Sequence, residues 1–141
     1  MRHTLFALLL VAAPLLADKK PIAPPEFGAT PNFSPAILSD GTLYISGQIG
    51  QDLKTKKVPS DFEAEVKTCL DNIGIILKTA GMSYSDAVSV QVYLTDMDLF
   101  ARMNAVYVTY FKEPRPSRTT VGVTKLASPA AHIEITVTAR K

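Results

Sequence analysis

The sequence predicts one α+β domain with the element order β-β-α-β-α-β-β, in which two helices pack on one face of a mixed sheet. Alternation of apolar and polar residues, the pattern of half-buried strands, occurs at 88–95 and twice within 115–141. Apolar residues at three- and four-residue steps, the pattern of an amphipathic helix, follow Ser60. With 141 residues, the chain is long enough for one packed core but not for two.

The composition argues against several classes of partner. The net charge is +2, and the only basic cluster, at 54–57, falls in a predicted loop, so we expect no nucleic-acid partner. Cys69 is the only cysteine, which excludes an internal disulfide bond. His3 and His132 are too few and too far apart for a metal site, and no motif calls for a cofactor.

Residues 1–17 have the layout of a secretory signal peptide. Arg2 and His3 precede an apolar run that ends at Ala17, just before charged residues. The run is too short to span a bilayer, so we expect no membrane span once the leader is removed. The sequence therefore predicts a periplasmic or secreted protein; the alternative is a cytoplasmic protein with a disordered extension.

The proline-rich lead-in at 18–32 is predicted to run extended over the surface rather than form a helix, and the domain itself is predicted at 33–141. A first strand begins at Phe33, turns through 39–41 and returns along 42–46. Gly47 and Gly50 then indicate a bulge or a close approach of the backbone.

Two helices are predicted between the remaining strands. The first begins at a capping box formed by Ser60 and Glu63 and ends at Gly81. Its apolar stripe is Phe62, Val66, Cys69, Leu70, Ile73 and Leu77, so Cys69 is interpreted as a small core residue. The strand at 88–95 leads to a second helix, capped by Asp96 or Asp98 and ended by Pro114 and Pro116. Its buried side is predicted to include Leu99, Met103, Val106 and either Phe111 or Tyr110.

Arg118 and Glu134 both fall among the polar residues of the last two alternating runs. If these runs form neighbouring strands, the guanidinium and the carboxylate face one small molecule on the sheet face away from the helices. The same face is predicted to carry Tyr44, Ser46, Gln91, Tyr93 and Thr120. This set is too aromatic for a face open to water, so we expect partner subunits to cover it, with sites at the subunit boundaries.

Five short segments stand out along the chain: 33–37 (FSPAI), 46–50 (SGQIG), 104–107 (NAVY), 115–121 (RPSRTTV) and 133–135 (IEI). In their order and spacing they resemble the RidA/YjgF family of reactive-intermediate deaminases. The resemblance runs from about Phe33 to Arg140. It implies a chorismate-mutase-like fold and a homotrimer with sites between subunits. It also implies cofactor-free hydrolysis of 2-imino and 2-enamino acids, of the 2-iminobutanoate and 2-iminopropanoate type, to 2-keto acids and ammonia.

The resemblance also assigns site residues. Arg118 corresponds to the arginine that binds the substrate carboxylate, and Glu134 to the family's glutamate. Ser46, Gly47 and Asn104 correspond to pocket residues. Phe33 stands where many members have tyrosine, and Thr120 where many have cysteine; both remain predicted substrate-binding residues with altered chemistry.

Two other functions are compatible with these residues. One is a non-catalytic module that binds a carboxylate metabolite through Arg118, and on pattern alone the two charged residues could form an ordinary cross-strand ion pair. The other is RNA cleavage, although the sequence has no histidine pair and no basic groove.

Overall fold

A computed structural model describes residues 18–141, which form a six-stranded sheet with two helices packed on one face. The strands and helices are β1 (Lys20–Ile22), β2 (Ala36–Ser39), β3 (Thr42–Ile49), α1 (Phe62–Thr79), β4 (Ala87–Leu94), α2 (Phe100–Tyr110), β5 (Ser117–Gly122) and β6 (Ile133–Arg140). The predicted α+β class is confirmed. The predicted signal peptide at 1–17 lies outside the described residues.

The proline-rich lead-in contributes an element that the sequence did not predict. Lys20–Ile22 pairs antiparallel with β2, and Ile22 is buried in the core. Pro25–Phe27 then forms a single 3₁₀ turn, where proline is tolerated because the first turn of a helix needs no donor from it. The lead-in is therefore joined to the sheet.

The strand order within residues 18–141 is β1-β2-β3-β6-β4-β5, and among these six strands only β4 and β5 are parallel. The prediction that β5 and β6 are neighbours is wrong, because β4 lies between them. The connection at 123–132 passes the end of β4: Val123 N–H donates to Leu94 C=O, and Thr95 N–H donates to His132 C=O. A segment of that length crosses a strand as readily as it closes a hairpin, and the sequence could not distinguish the two.

Helix α1 begins one residue later than the capping box suggested. Asp61 is the N-cap, and its carboxylate accepts from Ala64 N–H at 2.8 Å. The Glu63 carboxylate instead binds Arg102 of α2, and this hydrogen bond holds the pKa of Glu63 at about 2. The capping-box prediction is therefore corrected, and Glu63 joins the two helices at the surface.

The predicted apolar stripe of α1 is confirmed as the centre of the core, and Gly81 follows the helix with a positive φ of 70°. Cys69 is fully buried, and burial raises the pKa of its thiol far above the usual range. Cys69 is thus a core residue, as predicted.

Asp96 caps a short 3₁₀ turn that leads into α2, where Met103 and the following Phe111 are buried as predicted. Tyr107 is also buried, although the sequence pattern did not place it in the core. Within residues 18–141, no helix is both long enough and apolar enough to cross a membrane.

Candidate active site

The sheet separates the two residues predicted to act together. Arg118 pairs with Val90, whose side chain is buried beneath the helices. Glu134 pairs with Tyr93, three residues further along the same strand. Paired residues share a face and faces alternate along a strand, so Arg118 and Glu134 lie on opposite faces of the sheet. The prediction that both residues face one small molecule from the same face of the sheet is wrong.

Arg118 lies on the helix side of the sheet because β5 is an edge strand. In β6 the apolar residues face the helices, as in any half-buried strand. In β5 nearly every residue is exposed, and the apolar Val121, exposed by 41%, lies on the open face, paired with Tyr93. Arg118 and Thr120 consequently lie on the helix side. The polar residues of two strands lie on the same face of a sheet only when the apolar residues of both strands pack on the opposite face.

Glu134 lies beside the predicted bulge. The register between β3 and β6 shifts between Ile45 and Gln48, so the bulge is confirmed. An alanine methyl carbon at position 47 would lie 1.8 Å from Glu134 Oε1, and one at position 50 would lie 2.2 Å from the Glu65 carbonyl oxygen. Only glycine at position 47 leaves the Glu134 carboxylate in its present place.

A cavity of about 470 Å³ opens at Glu134. Phe33, Ser46 and Gly47, all predicted site residues, line it together with Glu134. Ser46 Oγ donates to Ser34 C=O at 2.7 Å, which joins the segment that carries Phe33 to β3. The Glu134 carboxylate accepts no hydrogen bond and forms no ion pair with any side chain in residues 18–141. It is half-buried and free to bind water.

Polar residues of α1 hold the backbone around this cavity. Asn72 Nδ2 donates to Ile49 C=O and Gln51 C=O, and the Cys69 thiol donates to Gln48 C=O. Glu65, which is completely buried, accepts from the backbone N–H of His132 at 2.6 Å. These residues lie at four- and three-residue steps on the buried side of α1, and the polar character of Glu65 and Asn72 among apolar residues was the signal that the sequence analysis missed.

Arg118 lies in another cleft, of about 360 Å³, on the helix side. Its Nη1 donates to Asn104 Oδ1 at 2.8 Å, and its guanidinium carbon lies 4.6 Å from the centre of the Tyr107 ring. Arg115 lines the same cleft. The structure thus brings Asn104 to Arg118, and it places Thr120 two residues from Arg118 on the same face of β5.

Two buried hydroxyl groups in this region have no hydrogen-bond partner within residues 18–141. They belong to Tyr107 and Thr120. Burial raises the pKa of the Tyr107 phenol, and the cations of Arg118 and Arg115 oppose that effect. The phenol is therefore neutral at physiological pH, and its hydroxyl proton donates to no group within residues 18–141.

Replacing Tyr107 with phenylalanine removes one of these hydroxyls. We expect Tyr107→Phe to raise the free energy of unfolding in the absence of ligand by about 1 kcal/mol, because a buried unpaired polar group is costly. Urea denaturation measures the change. Tyr110→Phe is the matched control and should lower stability, because the Tyr110 hydroxyl donates to Asp71 at 2.7 Å. A loss of stability in Tyr107→Phe would show that the Tyr107 hydroxyl has a partner.

An alanine at position 47 tests whether activity depends on the present position of the Glu134 carboxylate. Gly47→Ala should leave the fold intact, since the overlapping atoms belong to a side chain that can rotate. It should lower the activity of the site by about 10²-fold, the cost of a catalytic group misplaced by about 1 Å. The same change made in a Glu134→Gln background should have little further effect. A full additional loss there would mean that Gly47 acts independently of Glu134.

Comparison with known proteins identifies the family. The model of the family described as Endoribonuclease L-PSP matches residues 24–141. A RutC family protein of Sulfurisphaera tokodaii is 42% identical over 86% of this chain and 91% of its own length. The chain is a member of the RidA/YjgF family.

Two further relatives have a named activity or a solved structure. The 2-iminobutanoate/2-iminopropanoate deaminase of Rattus norvegicus is 40% identical over 80% of both chains. The crystal structure of the E. coli YjgF gene product superposes with a TM-score of 0.80, at 32% identity over 86% of this chain and 98% of that one. The predicted family and the RidA/YjgF-type fold are thereby confirmed.

The RidA/YjgF family match includes both clefts. It begins at Pro24, and so takes in the 3₁₀ turn that carries Phe27 to the Glu134 cavity. In the described part of the chain, no group of three or more His, Cys, Asp or Glu side chains is arranged to hold a metal ion. The side chains that line the two clefts include the guanidinium groups of Arg115 and Arg118, the Glu134 carboxylate and several hydroxyls.

Proposed function

We propose that this protein hydrolyses 2-imino and 2-enamino acids to 2-keto acids and ammonia, in sites that two copies of the chain complete together. The observation that carries the proposal is the separation of Arg118 and Glu134 on opposite faces of one sheet. Each residue lines a cleft. The cation and the carboxylate can therefore act on one substrate only when the Arg118 cleft of one copy meets the Glu134 cavity of another.

The open face of the sheet supports association between copies. Tyr44 is 54% exposed and lies on the face away from the helices, as does Val121. Exposed apolar groups on one sheet face are typical of an interaction surface. We propose a homotrimer, in which cyclic symmetry repeats the same contact and forms equivalent sites at each boundary.

Arg118 would bind the substrate carboxylate. A guanidinium binds a carboxylate through two parallel charge-assisted hydrogen bonds. The Asn104 amide and the Tyr107 ring already hold the Arg118 side chain in one orientation, so little conformational freedom is lost on binding. The substrate's imine carbon, next to its carboxylate, is then directed toward the neighbouring copy's cavity.

Glu134 would move the protons. Water bound to its carboxylate attacks the carbon of the protonated imine, the C=N electron pair moves to nitrogen, and Glu134 takes a proton from the water. Glu134 then gives this proton to the nitrogen of the resulting carbinolamine. The carbon–nitrogen bond breaks, ammonia leaves, and the hydroxyl proton is released as the C=O bond forms. A 2-enamino acid enters the same sequence after tautomerisation to the imine.

An imine-hydrolysis assay tests the proposal. A flavin amino-acid oxidase generates 2-imino acids in situ, and semicarbazide competes with the protein for them. Faster ammonia release and less semicarbazone are expected with the wild-type protein. A module that only binds carboxylates would leave the rate of ammonia release at that of buffer, and this result would reject the proposal.

We also propose that residues 1–17 direct export and are then removed, on the basis of their basic start and apolar run. N-terminal sequencing of the protein expressed in its natural host tests this proposal. A first residue at or close to Asp18 is expected, and an intact Met1 would contradict it.

A further inference from the structure

We propose that the preferred substrates are 2-imino acids with a large apolar side chain, which binds against Phe27, Phe33 and Leu53. This inference rests on the proposed function, because it assumes that the imine carbon lies at Glu134. It concerns the part of the cavity that the carboxylate and the imine do not occupy.

The cavity extends well beyond the predicted catalytic group. One part is formed by Ser46, Gly47 and Glu134. The rest is reached by Phe27, from the 3₁₀ turn after β1, and by Leu53, from the loop after β3. Its volume of about 470 Å³ falls in the range of clefts that enclose drug-sized ligands, far more than the smallest 2-imino acid fills. The space that the neighbouring copy leaves open is available to the substrate side chain.

Phe27, Phe33 and Leu53 present apolar surface to that space. Phe33 is 58% exposed, and its ring offers no hydrogen bond. Phe27 is half-buried and packs against the core, and Leu53 is half-buried in its loop. A large apolar side chain placed here would remove these three side chains from water, whereas the methyl group of the smallest substrate would leave them exposed to water.

The amides that line the cavity already donate to the backbone. Asn72 Nδ2 donates to two carbonyl groups, and Gln48 Nε2 donates to Ser46 C=O at 2.9 Å. Gln51 Nε2 donates to Lys56 C=O at 2.9 Å. These hydrogen bonds fix the orientation of the three amide groups around the cavity.

Lys56 also lines the cavity, and its positive charge favours substrates with an acidic side chain over apolar ones. Its ammonium group forms no ion pair within residues 18–141, so it could attract a second carboxylate on an acidic substrate. Lys56 is exposed, however, and an exposed charge pair contributes little to binding. The apolar walls therefore decide the preference, and an acidic substrate is the competing outcome of the test.

The test compares 2-imino acids generated by a flavin amino-acid oxidase from alanine, leucine, phenylalanine and glutamate. We expect kcat/KM for the leucine and phenylalanine products to exceed that for the alanine product by at least about tenfold, since each methylene in an apolar pocket changes selectivity by about 10- to 200-fold. The glutamate product should be hydrolysed more slowly than the leucine product.

Two variants of one loop sharpen the comparison. Leu53→Ser should reduce the ratio of leucine to alanine kcat/KM by about tenfold, because it removes one apolar wall. Lys54→Ser is the matched control: Lys54 is the next residue and lines a different groove, so the ratio should stay that of the wild type.

The outcomes separate this inference from the proposed function. Equal rates for all four products, or a glutamate product that is fastest, would overturn the apolar side-chain site and leave imine hydrolysis standing. An unchanged ratio in Leu53→Ser would also overturn it. No acceleration with any product would instead reject the proposed function itself.

Discussion

Arg118→Ala is expected to lower kcat/KM for imine hydrolysis by about 30- to 5,000-fold, because truncating one partner of a hydrogen-bonded charge pair costs about 2–5 kcal/mol. Most of the loss should appear as a higher KM, since the arginine holds the substrate before and during the reaction. Steady-state kinetics with an enzymatically generated imino acid measure both constants.

Arg118→Lys is the control for charge alone. Lysine keeps the positive charge but cannot form the two parallel hydrogen bonds, so an intermediate loss is expected. Folding should change little in either variant, because Arg118 is exposed and its contacts with Asn104 and the Tyr107 ring contribute only about 1 kcal/mol. An Arg118→Ala variant with the wild-type kcat/KM would show that Arg118 does not bind the substrate.

Glu134→Gln is expected to lower kcat by about 10²–10⁴-fold, the usual contribution of a positioned general acid or base. The amide nearly matches the carboxylate in size, so the cavity should keep its shape and KM should change little. Steady-state kinetics with the same enzymatically generated imino acid measure kcat and KM for the wild type and the variant.

Glu26→Gln is the matched control for Glu134→Gln, because Glu26 is exposed on the 3₁₀ turn near the cavity and does not line it. It should keep the wild-type rate. An unchanged kcat in Glu134→Gln would assign the proton transfers to another group.

The elements with strong local signals could be predicted from the sequence. The apolar stripe of α1 is regular over its whole length, and the prediction of a bulge at Gly47 followed from a glycine within a strand. The cap of α1 was missed by one residue, because Ser60 and Asp61 are both good N-cap residues and only the contact between Glu63 and Arg102 decides between them.

The face on which each site residue lies could not be predicted in the same way. Alternation in β5 gives two faces but does not say which one meets the helices, and at an edge strand neither face is strongly apolar. The insertion of β6 between β3 and β4 is a long-range pairing that no local pattern encodes. The sequence therefore identified Arg118 and Glu134 as residues of interest but placed them on the same side of the sheet.

Mixed oligomers of Arg118→Ala and Glu134→Gln chains test the central claim most directly. The two chains are co-expressed with different tags, and oligomers that carry both tags are purified. In a cyclic trimer of mixed composition, one site receives its arginine from a Glu134→Gln chain and its glutamate from an Arg118→Ala chain, so about a third of wild-type activity should return. Mixed oligomers no more active than the two variants alone would contradict a site shared between copies.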